Sequence, residues 1–280
     1  MKILILGGTG LVGRALVGFL SKENEIKAFG RGIYQNGQLL QDSVEWSDVL
    51  IQLSGATISK RWTSKYKQEI WDSRIKTNQQ LATIFSNIKN KPKVIFASAV
   101  GFYPESNCDN PFNESHMENG SDYLSLLAKE WESEAYNLSD DVLIFRFGVV
   151  LSLDGGALKE MLPMYKLGLG GPIGTGEQCF TWIHIKDLVR AINYSIVNNL
   201  KGVYNLNSPG LVSQNKFGKA LSNAINRPFL FRTFEWQLRL IFGEGGQVLV
   251  KSLAASPKKL IDSGFVFEYT KIENALEDII

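Results

Sequence analysis

The sequence predicts an α/β fold, a doubly wound parallel sheet with a small, mostly helical C-terminal domain. Short apolar runs alternate with helical periodicities over the first 200 residues, the pattern of a parallel sheet covered on both faces. The first of these runs passes directly into a glycine loop and then a helix. The later runs all end in small or polar residues, where the strand ends of such a sheet converge.

Lys2-Ile3-Leu4-Ile5-Leu6 reads as a buried strand and is followed by Gly7-Gly8-Thr9-Gly10-Leu11-Val12-Gly13. Glycines at 7, 10 and 13 give the spacing GxxGxxG. In this context Gly7 serves the tight turn, Gly10 lets a pyrophosphate approach the backbone, and Gly13 lets helix and strand pack closely. Such a motif is weak alone and strong between a β run and a helix. Leu11, Val12, Ala15, Leu16, Phe19 and Leu20 recur at helical spacing, so a helix is expected over 11–21. The second strand, Ile26-Lys27-Ala28-Phe29, ends at Gly30-Arg31. The third run, Val49-Leu50-Ile51-Gln52-Leu53, ends at Ser54-Gly55-Ala56. Residues 32–48 lie between them, with a turn expected at Asn36-Gly37. A helix, strand and second helix do not fit there, so this half of the sheet should lack a strand.

A helix is expected over 63–89, a strand over Val94–Ala97 and a polar loop over 104–120. A helix over about 121–138 and a buried strand over Val142–Arg146 follow. Residues 155–178 are glycine-rich, and the five glycines between Lys166 and Gly176 suggest a loop serving a binding cleft. Asp187 is expected to cap the helix after Ile183-His184-Ile185-Lys186. The organisation expected is a dinucleotide domain over 1–150 and about 182–207, with a small substrate domain over about 151–181 and 208–280.

Composition narrows the class. Hydrophobic residues make up 44% of 280, and 30 basic against 28 acidic residues leave a net charge of +2. No basic stripe for nucleic acid and no polybasic membrane patch stand out, and no run approaches a membrane span. A cytoplasmic protein acting on a small molecule is expected. Cys108 and Cys179 are far apart with no CxxC spacing, which fits a reducing compartment and argues against a disulfide framework and against zinc. With only His116 and His184 as histidines, no metal site is expected.

The second strand ends without Asp or Glu. A carboxylate there would bind the ribose 2′-hydroxyl of NAD(H), whereas Arg31 can bond a 2′-phosphate through two parallel donors. NADP(H) is therefore preferred over NAD(H).

These residues resemble the extended short-chain dehydrogenase/reductase superfamily, in its NAD-dependent epimerase/dehydratase branch. Within it they are similar to an atypical "epimerase family" subgroup, also labelled cell-division inhibitor-like. The segments that carry the likeness are the glycine loop, Leu53-Ser54-Gly55-Ala56 with Lys60-Arg61-Trp62, Ser73-Arg74-Ile75, and Ser98-Ala99-Val100-Gly101-Phe102-Tyr103. Further on come Trp131-Glu132, Arg146-Phe147-Gly148-Val149-Val150-Leu151, Gly168-Leu169-Gly170-Gly171-Pro172, Trp182-Ile183-His184-Ile185 and Pro257-Lys258-Lys259-Leu260. The likeness implies a Rossmann fold, an NADP(H)-type cofactor and a C-terminal domain of the subgroup's own kind. Cofactor contacts are expected at Gly7, Thr9, Gly10, Leu11, Val12 and Gly13, and at Arg31. Leu53, Ser54, Gly55 and Ala56, then Ala97, Ser98 and Gly148, complete the set. A homodimer is common among such proteins, although no exposed stripe in this sequence marks one.

Superfamily reductases and epimerases use Ser, Tyr and Lys, the last two as YxxxK on one helix face. The ammonium lowers the tyrosine pKa so that the phenol can move a proton. Here Ser98 follows its strand and Tyr123 falls near the tyrosine position, but the lysine position is Leu127. Without that ammonium Tyr123 is a poor base, and helix packing is the simpler role. Tyr103 is the alternative donor, and His184 reads as structural. Arg61, Trp62 and Arg74 could line the cleft or lie on a solvated face. After Gly174-Thr175-Gly176-Glu177-Gln178 the chain continues Cys179-Phe180-Thr181-Trp182, without the arginine that clamps a sugar-nucleotide diphosphate. Phe180 and Trp182 point to an apolar ligand or to core packing. Two readings lead, an oxidoreductase or epimerase-like enzyme and a non-catalytic NADP(H)-binding sensor or docking protein, and a nucleotide-sugar epimerase is a third and weaker one.

Overall fold

The computed structural model describes residues 1–280. Strand β1 (Lys2–Leu6) leads through the glycine turn into α1 (Leu11–Leu20), then β2 (Glu25–Phe29), α2 (Gly37–Trp46), β3 (Val49–Gln52), α3 (Ser64–Asn87), β4 (Lys93–Ala99), α4 (Tyr123–Tyr136) and β5 (Leu143–Phe147). After β6 (Val149–Leu151) come α5 (Gly156–Lys166), β7 (Cys179–Phe180), β8 (Trp182–His184), α6 (Ile185–Val197) and β9 (Gly202–Leu206). The chain closes with β10 (Val212–Ser213), α7 (Gln214–Ala224), α8 (Glu235–Phe242), α9 (Lys258–Asp262) and α10 (Ile272–Ile279).

Six strands form one sheet in the order β2-β1-β3-β4-β5-β9, and every pairing is parallel. The chain leaves β1 to one side for β2 and returns to the other side for β3, so the order reverses over β1. A crevice opens beyond the strand ends at such a point. Ile3, Leu4, Ile5 and Leu6 are fully buried. Their alternation sends Leu4 and Leu6 into one core, with α3 and α4, and Ile3 and Ile5 into the other, with α1 and α6. Each such side chain contributes about 1.5–3 kcal/mol of transfer free energy.

Residues 32–48 hold a short 3₁₀ turn and α2 but no strand, as the length of that stretch requires. Asn36 does more than turn the chain: its side chain caps α2 by accepting the Leu39 amide at 3.0 Å. A third core, with Leu151, Leu158, Leu162, Tyr165, Trp182, Phe217 and Leu276 among its members, gathers residues from β6, α5, β8, α7 and α10. The Phe180 ring lies tilted against Phe217 at 4.3 Å, and the Trp182 indole donates to Gly210 O, so both aromatics belong to packing.

The glycines of 166–176 let the loop dock on 228–233, where Gly170 O accepts the amides of Leu230 and Phe231. A Cβ on Gly171 would stand 2.1 Å from Phe231 O. Two expectations are corrected. Asp187 is not a cap: His184 Nδ1 caps α6 by accepting the Lys186 amide. Asp187 instead accepts the amides of Glu268 and Tyr269 and pairs with Arg190. The two cysteines form a disulfide, Cys108–Cys179, with Cα atoms 5.3 Å apart. Their distance in sequence hid this, because the 104–120 loop folds back along the chain near residue 252. There Ser106 N donates to Ser252 O, and Ser252 Oγ accepts the Cys179 amide. The cysteine argument for a reducing compartment therefore falls away.

The bridge closes a separation of 71 residues, which limits the unfolded chain by about 2–4 kcal/mol. Urea unfolding of the oxidised protein should accordingly lose that much stability on adding reductant, and a Cys108→Ser variant should be indifferent to it. Two titratable thiols in the native protein would contradict the pairing.

Candidate nucleotide site at the strand ends

Beyond β1 the chain is shaped by contacts that exclude side chains. Gly7 has φ +85°, and a Cβ on it would lie 2.8 Å from the Leu53 carbonyl carbon. A Cβ on Gly13 would lie 2.4 Å from Gly7 O, so α1 can start this close to the turn only with glycine there. Gly10 is the N-cap and offers no side chain to the helix start. Arg14 N bonds Gly10 O, but the amides of Leu11, Val12 and Gly13 have no protein acceptor. Three free donors at the positive end of a helix dipole form an anion site.

Neighbouring strand ends complete the crevice. A Cβ on Gly30 would stand 3.0 Å from Thr9 Oγ1, which brings the ends of β1 and β2 into contact. Arg31 follows with its side chain 94% exposed and 3.8 Å from Glu69. After β3, Leu53 N bonds Leu6 O, Ser54 Oγ accepts the Tyr34 hydroxyl, and Ala56 N donates to Ser73 Oγ. Gly55 leaves room for the Arg74 guanidinium, which a Cβ would meet at 2.9 Å. Arg74 donates to Ala56 O and lies 4.9 Å over the Trp131 ring. Burial pulls its pKa down to about 10, so it remains a cation that fixes the loop. Ala97 is buried within β4. Gly148 lies where β5 passes into β6, and a Cβ there would be 3.0 Å from Thr181 O.

Part of the wall comes from the start of the glycine-rich 155–178 stretch. Gly155 and Gly156, at the start of α5, bring that helix against Leu11, and Arg14 Nη2 donates to Asp154 O at 3.2 Å. The run there is Asp154-Gly155-Gly156, with φ +73° at Gly156.

The three hydroxyl candidates are all occupied by the protein itself. Ser98 is buried, and its Oγ donates to Glu132 Oε1 at 2.7 Å. Glu132 in turn receives two bonds from Arg146, at 2.8 and 2.7 Å. The Arg146 guanidinium lies 3.5 Å over the Phe102 ring and 4.8 Å over that of Tyr103. Tyr103 is 1% exposed and its hydroxyl donates to Asn205 Oδ1. Burial raises its pKa, although Arg146 pulls the other way. Tyr123 donates to Lys67 O at 2.6 Å and packs edge-on to Trp62. Its ring lines a cavity of about 250 Å³ with Lys67, Trp71 and Glu244. Burial raises its pKa too, against a smaller opposing effect of Arg74. Leu127, where a lysine would stand, is buried in the core. Ser98 and Tyr103 thus meet through Arg146, while Tyr123 stands apart from both.

An ammonium does reach the start of α4, from a segment no helical spacing could reveal. Lys251 bonds the Asp122 carboxylate and lies 3.2 Å from Ser125 Oγ. Burial works against the Asp122 charge, but bonds from Lys251 and Ser125 bring its pKa below the ordinary value. Arg61 and Trp62 face the C-terminal part: Arg61 donates to Leu240 O, and Trp62 N to Phe242 O. His184 is buried, stacks on Tyr269 at 3.8 Å and has Asp278 3.3 Å from Nε2. Burial outweighs Asp278 and pushes its pKa down to about 4.

Residues 3–206 match the profile of the NAD dependent epimerase/dehydratase family. The chain belongs to that family. Residues 233–279 match a domain of unknown function (DUF1731). An epimerase family protein of Staphylococcus haemolyticus is 38% identical, with 100% of this chain and 99% of the relative covered. One from Staphylococcus aureus is 37% identical with the same coverage. The crystal structure of the human epimerase family protein SDR39U1 (isoform 2) with NADPH superposes at TM-score 0.89 and 27% identity, covering 100% of this chain and 99% of that one. A UDP-glucose 4-epimerase of Thermus thermophilus in complex with NAD shares the epimerase/dehydratase fold at TM-score 0.80 and 14% identity.

Two outcomes follow from the buried ionic groups. Glu132→Gln strands the Arg146 charge and should cost about 3–5 kcal/mol in urea unfolding. Ser98→Ala leaves that ion pair intact and should cost about 1 kcal/mol. For His184 the folded pKa lies below the unfolded value, so its contribution is present above about pH 6.5 and is lost as pH falls toward about 4. Between about pH 7 and pH 5 the wild type should lose about 2 kcal/mol more stability than His184→Asn, which keeps a capping side chain.

Proposed function

We propose that this chain binds NADP(H) and works as an oxidoreductase or epimerase-like enzyme on a small substrate bearing a carbonyl or an alcohol. The observation that carries the reading is the start of α1, where three unpartnered amides stand behind a turn that glycine keeps free of side chains. That arrangement fits a dinucleotide diphosphate. Arg31 supports the phosphorylated form. It follows the end of β2 by two residues with an exposed guanidinium, and no carboxylate stands at that strand end. Its pairing with Glu69 is loose, and exposed pairs of this kind hold an arginine weakly. The NADPH in the human relative's crystal supports the same choice.

When bound, a reduced nicotinamide supplies a hydride at its C4 position. The chain's own residues do the remaining work. The amides of Leu11, Val12 and Gly13 hold the diphosphate charge, and Arg31 takes the 2′-phosphate through two donors. Gly155 and Gly156 bring the start of α5 against Leu11 and wall that side of the crevice. Neither tyrosine is assigned the proton transfer, because burial raises the pKa of both and Leu127 brings no charge to reverse it. The occupied hydroxyls of Ser98, Tyr103 and Tyr123 favour a second reading, a non-catalytic NADP(H)-binding sensor or docking protein.

Fluorescence titration with NADPH and NADH tests the cofactor assignment. Arg31→Asp should weaken NADPH binding about tenfold or more and leave NADH nearly unchanged; equal losses would remove the argument for the 2′-phosphate. A screen of carbonyl compounds that follows NADPH absorbance then separates the two readings. Turnover retained in Tyr123→Phe supports the enzyme, while tight binding without turnover on any compound supports the sensor.

A further inference from the structure

Residues 230–241 carry large apolar side chains that nothing in the chain covers. Leu230 is 74% exposed, Trp236 and Leu240 are 65% exposed, and Phe231, Phe234 and Ile241 are each exposed by half or more. Met164 and Leu167, at the end of α5, are equally open. These two stretches are neighbours. Gly170 O accepts the amides of Leu230 and Phe231, and Arg227 Nε donates to Lys166 O. On α8 only Leu238 turns inward, while Trp236 and Leu240 share the outer face one turn apart. Exposed clusters of this size in soluble proteins mark interaction sites.

Charge decides what this face would meet. Lys166, Arg227, Arg232 and Arg239 flank the apolar residues, all exposed, and none has a carboxylate within 4 Å, although Arg239 is near enough to Glu244 to help lower its pKa. The acidic residue on α8, Glu235, turns toward the 174 loop, with Oε1 3.4 Å from where a Cβ on Gly174 would stand. A second copy seated on this face would set unpaired cations against cations. Aromatic and aliphatic side chains interleaved with arginine suit a surface with an acyl interior and anionic headgroups. We propose that the face formed by α8, residues 227–234 and the end of α5 is a docking surface for an anionic lipid bilayer. The protein lies on the membrane rather than spanning it, as no helix is long and apolar enough to cross one. This revises the expectation of no membrane contact drawn from the sequence, where an overall charge near zero concealed a local excess.

The proposal stands apart from the cofactor reading, since its test needs neither NADPH nor turnover. The full chain is floated with vesicles of phosphatidylglycerol and phosphatidylcholine, and with phosphatidylcholine vesicles alone. Binding to the anionic vesicles only, weakening as salt is raised, is the expected result. Arg232→Gln and Arg239→Gln should each lower partitioning about fivefold. Leu240→Ser should lower it further, and Trp236→Phe should keep it. Unchanged thermal midpoints establish that the variants are folded. Absence of flotation on anionic vesicles overturns the proposal, and so does equal flotation on neutral ones. A dimer in sedimentation that Leu240→Ser dissociates overturns it as well, by assigning the face to a second copy.

Discussion

The fit of the β1–α1 turn between its two neighbouring strands is the constraint from which the rest of the structure follows. Side-chain atoms on Gly7, Gly8 or Gly13 would collide with Leu53, with Ala28 or with the turn itself, at separations of 2.8, 2.7 and 2.4 Å. The turn is therefore held at once by the ends of β2 and β3. Any displacement would lift α1 from the sheet and open the core that Leu16 and Leu20 share with Ile3 and Ile5. The same contacts leave the first amides of α1 without partners, so sheet packing and anion binding arise from one arrangement.

On the other side of the crevice the chain has settled a different problem. Glu132 and Arg146 are both buried, and their two parallel bonds repay only part of the cost of bringing the charges out of water. Ser98 supplies a further bond to the carboxylate, and Phe102 lies against the guanidinium. Asn205 links the Tyr103 hydroxyl to Ser256 O on the C-terminal segment. These groups tie β4, α4, β5 and β9 into a rigid unit at the strand ends. The result is a buried polar core in which the hydroxyls of Ser98 and Tyr103 are bonded and Arg146 Nη1 is left without a partner.

Most of the sheet was legible because buried parallel strands are pure apolar runs and glycine spacing is a local signal. The missing strand was legible from length alone, since residues 32–48 cannot hold more than one helix and a turn. What escaped were contacts between distant segments. Lys251 reaching Asp122, and Cys108 reaching Cys179, depend on how the 249–256 segment threads beside the 104–120 loop, and no periodicity records that. Ser98 was placed correctly at its strand end, but the orientation of its hydroxyl depends on Glu132, 34 residues later. The packing of the glycines at 168–176 on residues 228–233 was hidden for a related reason, since missing side chains admit a neighbouring backbone as readily as a ligand.

The shortened first half of the sheet leaves β2 with β1 as its sole partner, its outward amides and carbonyls open to solvent. In a longer relative of this architecture a further strand would shield that border. Here Glu25 and Lys27 lie along it, and the Lys27 ammonium sits 4.3 Å over the Trp46 ring, which tethers a charge beside the ladder. Charged side chains so placed discourage a stray extended chain from adding itself to the sheet. The loss of one strand has thus been matched by electrostatic protection against aggregation, on the border where Arg31 stands exposed at the rim.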